Sequence, residues 1–196
     1  MREAQHLLRQ RAASWRLFVM RRFLHYFTKL CLEPPRVIFD REGGSPYLSR
    51  WYLTSSQGDV DPELFDARKE TTPAWLPKLF LHRFHRSDDD YALHSHPWHW
   101  AVSLVLVGGY SEERRVGDRV VRRDVRPWRL NFLTAETFHR VDLFEEDAWS
   151  LFLVGPKTGS GWAFWDRDTK MRCPWKEFVL ARRGGPPAPW VPDSRE

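Results

Sequence analysis

The chain has 196 residues, 42% apolar and 29% charged, with 31 basic against 26 acidic residues and a formal net charge of +5. That balance excludes a disordered or membrane-embedded chain and suits one domain of ordinary size with an appendage or two. Eleven Trp and 13 Phe favour strand-rich packing, and the charges of both signs are interspersed, so solvated faces are expected and a nucleic-acid partner is not.

Cys31 and Cys173 are far apart and show no metal or redox spacing. A reducing compartment fits them. No apolar stretch approaches the roughly 18 residues of a membrane span. The N-terminus also lacks the short apolar core and cleavage site of a secretory signal. The expectation is a cytoplasmic protein that does not bind a membrane.

Residues 2–31 read as a helix. Leu7, Leu8, Ala12, Trp15, Phe18, Leu24 and Phe27 recur near helical spacing, with Arg9, Arg16, Arg21, Arg22 and Lys29 between them. Glu33-Pro34-Pro35 stops it, because proline lacks the backbone donor and restricts its predecessor. This amphipathic segment, 1–34, is expected to cover protein: either the body of the fold or a second copy of the chain in a homodimer.

From residue 35 to 180 the texture is that of short strands and turns. Val37–Phe39 and Leu48–Thr54 are the first candidates, with a turn at Gly43–Pro46; residues 55–76 are polar and broken by proline, as in a long loop. Leu79–Arg86, Trp98–Val107, Arg119–Arg123, Trp128–Leu133, His139–Phe144, Trp149–Val154 and Trp162–Trp165 follow as strands. Gly108-Gly109, Val116–Asp118, Glu145–Asp147 and Lys157–Gly161 supply turns between them. Many short strands at close intervals argue for an all-β sandwich or barrel. Residues 181–196, rich in Gly and Pro, read as an extended C-terminal arm.

His94-Ser95-His96-Pro97 carries the most chemistry. Residues two apart on a strand point to one face, so His94 and His96 project together. His139 opens a later strand that an antiparallel barrel can bring alongside. Three neutral imidazoles on one side of an ion, with open positions opposite, form a recognised metal arrangement. His82 shares a strand face with Phe80 and Phe84 and is a further candidate for the interior. Arg83, Tyr110, Glu112 and Arg140 flank the metal strands. Among them Arg140 is a candidate clamp for a carboxylate or phosphate and Tyr110 a candidate proton or hydrogen-bond donor. His99 has the wrong parity relative to His96 unless Pro97 introduces a bulge. Asp88-Asp89-Asp90 reads as a solvated turn.

On these residues the chain resembles the cupin superfamily. His94-Ser95-His96 leads to Gly108 at the spacing of the first cupin motif, although Ala101 stands at the position of its Glu. Thr134–His139 aligns with the second motif and keeps only its His. The stretches His94–Trp98 and Gly108–Glu112 resemble a group of small bacterial and phage cupin-like proteins. The resemblance covers roughly residues 76–166 and implies an all-β double-stranded β-helix, or jelly roll, to which the helix read over residues 2–31 adds an N-terminal amphipathic element. It implies a metal held by His94, His96 and His139, with Fe(II) preferred and Zn, Ni or Mn suited to the same ligands. The activity it implies is that of a dioxygenase or other oxygenase acting on a small-molecule substrate; His82, Tyr110 and Arg140, read from their own positions, are the catalytic candidates beside it. A redox-inert ion would instead suit isomerisation or hydrolysis, and a barrel that only binds a small ligand or mediates assembly is the rival from another class.

Overall fold

Alternating burial along each segment after Arg36 reflects strands with one face turned inward. The computed structural model describes residues 2–39, 45–54, 73, 75–88, 91–159, 161–182 and 184–193, with the backbone alone for 2–14 and 31. Most of the expected 55–76 loop, the Gly43-Gly44 turn and Asp89-Asp90 lie outside these residues.

Eight strands build the body: β3 (Lys78–Phe84), β4 (Leu93–His94), β5 (Trp100–Val107), β6 (Tyr110–Val116), β7 (Arg119–Val125), β8 (Leu130–Thr134), β9 (His139–Leu143) and β10 (Ala148–Val154). One sheet runs β3-β10-β5-β8 and the other β4-β9-β6-β7. This is the strand order of an eight-stranded jelly roll, the cupin arrangement. β1 (Arg36–Phe39) and β2 (Pro46–Tyr52) extend the first sheet beside β3. β11 (Ala163–Trp165), β12 (Met171–Pro174) and β13 (Val191–Pro192) extend the second beside β4.

Apolar side chains join the two sheets. Val105 of the first sheet packs with Tyr110, Val125 and Val141 of the second. Gly108 and Gly109 turn the chain from β5 into β6 at φ of 72° and 136°. A Cβ at Gly108 would stand 2.3 Å from the Asp147 carbonyl oxygen, so that turn admits no side chain without moving the β9–β10 connection.

β6 is a strand that the sequence pattern hides. Tyr110-Ser-Glu-Glu-Arg-Arg-Val116 has no apolar alternation in its centre. Cross-strand charge pairing takes its place: Glu112 faces Arg123 on β7, and Glu113 faces Arg140 on β9. The expected strand from Trp98 is also shorter and begins at Trp100, because Pro97 separates it from β4.

α1 (Arg2–Cys31) lies on the outer face of the first sheet. Leu24 packs with Trp51, Leu81, Leu106, Val107 and Trp149, with Met20 beside them. The covering stripe is narrower than the helix's apolar content suggests. Trp15, Phe18, Val19, Phe23, Tyr26 and Leu30 remain exposed on the single chain. A helix meets a flat sheet along one line of residues three to four apart, and these aromatics fall outside it.

α2 (Trp175–Arg182) is a second helix not foreseen in the sequence; its Phe178 stacks on Phe164 of β11 at 3.9 Å. The C-terminal segment is anchored: Trp190 packs on Phe178, Arg172 of β12 is the register partner of Val191, and Arg115 bonds Asp193. No helix among the described residues is long and apolar enough to cross a membrane.

Candidate metal centre

β4 is only two residues long, yet its position decides the site. His94 is the direct cross-strand partner of His139 on β9, and on its other side of Phe164 on β11. Ser95 turns the opposite way, its amide donating to the Ala163 carbonyl and its Oγ accepting from the Ala163 amide. Alternation then returns His96 to the face of His94. The three ring centroids lie 5.2, 4.8 and 5.1 Å apart.

The nitrogens are oriented as well as close. His139 Nδ1 donates to Glu112 Oε1 at 2.8 Å, which leaves the lone pair on Nε2. That Nε2 stands 2.9 Å from His96 Nε2. Two nitrogens held side by side on one ion at about 2.1 Å would stand about 3 Å apart. His94 turns Nδ1 toward Asp88 Oδ2 at 3.7 Å. One ligand atom from each of the three rings lies within 4.8 Å of the others. A divalent ion fits this donor set, and among the described residues no carboxylate joins it. Ala101, where a fourth ligand would stand, is buried against Phe80, Trp98 and Phe152.

Carboxylates stand behind two of the rings. Glu112 is fully buried on β6 and also accepts from Asn131 Nδ2 at 2.9 Å, Arg114 Nη2 at 3.2 Å and Arg123 Nε at 2.6 Å. Burial opposes its charge, but the hydrogen bonds from His139 and Asn131 and the charge of Arg114 outweigh it and hold the carboxyl well below the usual range. Asp88 accepts from the Val141 amide at 2.7 Å and from the Tyr47 hydroxyl. It is therefore a built support, where the sequence suggested a solvated turn. Burial, then the nearby His139, His94 and Arg50, push His96 well below 6.5, so its ring is neutral.

The other expected site residues fall in different places. His82 lies inside, its ring stacked 4.9 Å from Phe152, and its Nε2 accepts from Arg50 Nε at 2.9 Å. Burial and the Arg50 charge push its pKa well down. Tyr110 is buried beside Asn131, which donates to its hydroxyl at 3.2 Å; burial above all raises the phenol to about 12. Arg140 is not brought to the rings. It follows His139 on β9, so alternation turns it to the opposite face, where it meets Glu113 at 3.6 Å and the Asp88 carbonyl at 3.1 Å. Arg83 likewise faces outward to Asp147. His99 is exposed, while Trp98 is the neighbour that turns inward, stacking on His96 at 5.7 Å.

Asn131 and Arg50 were not singled out in the sequence. A polar residue between Leu130 and Phe132, and an Arg two residues before Tyr52, carry no motif; only the register places them inside.

No family model and no curated protein sequence matches the chain. Similar solved structures include KdgF from Halomonas sp., at 16% identity over 59% of this chain and 85% of that one, with a TM-score of 0.39. Fe(II)-HppE with an alternative substrate is similar at 10% identity over 63% and 56%, TM-score 0.43. Oxalate oxidase in complex with glycolate is similar at 15% over 45% and 45%, TM-score 0.37. The chain spans about half the length of the latter two. The strand order, not these likenesses, identifies the jelly roll.

Proposed function

We propose that this cupin-type jelly roll is a metal-dependent enzyme that acts on a small molecule, with one divalent ion held by His94, His96 and His139. The observation that carries this reading is the pair of facing Nε2 atoms of His96 and His139, 2.9 Å apart, with Glu112 fixing the tautomer of His139 from behind. Without an ion, the only occupation open to two opposed imidazole nitrogens is one shared proton.

Fe(II) is the preferred ion and oxygenation the preferred reaction, because three neutral ligands on one side leave positions for both a substrate and O₂. When bound, the ion would supply the Lewis acidity and, as Fe(II), the electrons for O₂ chemistry. Zn, Ni or Mn would suit the same ligands and shift the reaction toward isomerisation or hydrolysis.

The chain's own residues would do the rest. Phe80, Trp98 and Phe152 form an apolar wall around His96 and His82 and exclude water from that side. His82, neutral and bonded to Arg50, positions the guanidinium. Tyr110 keeps its proton across the physiological range and holds Asn131 against Glu112. Arg140 supports Asp88 rather than touching substrate. The unpaired, buried Cys173 suits a reducing cytoplasm.

The test is metal analysis of the purified protein and of His94→Ala, His96→Ala and His139→Ala, followed by O₂ consumption with candidate thiols, amino acids and aromatic acids. The unaltered protein should carry about one ion per chain and each variant should lose it, because two imidazoles hold a divalent ion poorly. A His94→Ala protein with full metal content would sink the proposal.

A further inference from the structure

Arg50 on β2 is the direct cross-strand partner of His82 on β3, and both face the barrel interior. Its guanidinium lies over the ring of Phe80 at 5.1 Å and over that of Trp98 at 5.8 Å. Its polar neighbours are His82, which accepts the Nε–H, and Tyr52. Among the described residues no carboxylate pairs with it.

That combination is unusual on physical grounds. A lysine or histidine withdrawn among aromatic rings can shed its proton, but an arginine cannot. The full charge therefore persists at a half-buried position, and ring faces, one imidazole and the Tyr52 hydroxyl compensate it only in part. The other cations that serve the site are matched: Arg114 and Arg123 both meet Glu112. Arg50 is different. The planar fork of its guanidinium suits two oxygens of one anion.

The neighbours of Arg50 lead to the histidines. The Trp98 ring under the guanidinium stacks on His96 at 5.7 Å. Phe152 lies 4.9 Å from His82 and 5.9 Å from His96. Ser150, across from His82 on β10, is buried and its Oγ has no hydrogen-bond partner. An unmatched cation, an unsatisfied hydroxyl row-mate and an apolar wall between them and the rings describe the two ends of a small ligand.

We propose that Arg50 is the anion anchor of the barrel, binding the carboxylate or phosphoryl group of a small substrate whose remainder lies along Trp98 and Phe152 toward the three histidines. The position of the reacting end rests on the metal reading above; the anion contact does not.

The experiment titrates the purified protein with acetate and, separately, inorganic phosphate, following the arginine side-chain Nε–H resonances by NMR. One resonance, missing from Arg50→Gln, should shift saturably with at least one anion, and Arg50→Gln should bind that anion at least about tenfold more weakly. The tighter anion names the class, carboxylate or phosphoryl. His94→Ala should keep the binding; anion binding by an unaltered protein that carries no metal would defeat the metal reading alone. Arg50→Gln binding both anions as the unaltered protein does, or neither anion binding the unaltered protein, overturns the anchor. A readout needing no variant is phenylglyoxal labelling followed by peptide mass spectrometry. The bound anion should slow labelling of Arg50 and leave exposed Arg119 unaffected; equal rates at Arg50 with and without anion count against the proposal.

Discussion

Glu112 takes no place among the three proposed metal ligands, yet it ties His139 to its neighbours. It pairs with two arginines, fixes Asn131 and sets the tautomer of His139. Glu112→Gln keeps the shape but offers a neutral oxygen and an unwanted donor. Metal affinity, measured by competition with a chelator, should fall about 10–100-fold, as when other partners behind a ligand are lost. Unchanged affinity would mean that His139 is oriented by packing alone. His82 gives a pH signature. Burial holds its folded-state pKa well below 6.5, so as pH falls through that value the unfolded chain takes up the proton first. Its contribution is fully present above pH 6.5 and declines below it, by up to about 1.4 kcal/mol per pH unit. Urea unfolding of metal-free protein between pH 7 and 5 should show a shallower loss for His82→Gln than for the unaltered protein; parallel curves would refute the assignment.

Among the secondary elements, α1 and β6 show how misleading composition can be in opposite directions. α1 is crowded with aromatics, but among its described side chains Leu24 and Thr28 are the buried ones while Phe23 is 59% exposed. Leu24→Ala should cost about 2–4 kcal/mol and Phe23→Ala within about 0.5 kcal/mol, read from urea midpoints. Similar losses for both would mean that the aromatic side of the helix is covered in solution. β6 is polar through its centre and looks like a connection, yet it lies between β7 and β9 and carries Glu112. Its strand character comes from partners on both edges, and those partners are about ten and thirty residues away in sequence.

In the whole molecule, the histidines tie together segments that the chain joins only weakly. β4 contributes two residues to its sheet, and its pairing with β9 is the single partner pair His94 and His139. An ion bound there would clamp β4 to β9 and stabilise only the folded form. Adding Fe(II) under anaerobic conditions, or Zn(II), should raise the melting temperature, with about 2.7 kcal/mol gained at a free concentration 100 times Kd. A chelator should reverse it, and His96→Ala should abolish it. A melting temperature insensitive to both metals would argue that the rings meet only through a shared proton.

The sequence alone was enough for the all-β class, the helix over 2–31 and the proximity of His94 to His96, because each depends on periodicity or spacing within a few residues. It also marked His139, through a resemblance in spacing. Strand register, which is a relation between distant segments, decided the remainder: that Arg140 and Arg83 face out, that His82, Glu112 and Arg50 face in, and that Asp88 supports a ring. A shift of one residue in pairing exchanges the two faces of a strand, and nothing local in a polar stretch such as Tyr110–Val116 specifies which face is which. The tertiary structure decided it by burying one face against the opposite sheet, where a charge such as that of Glu112 persists only because Arg114, Arg123, Asn131 and His139 converge on it.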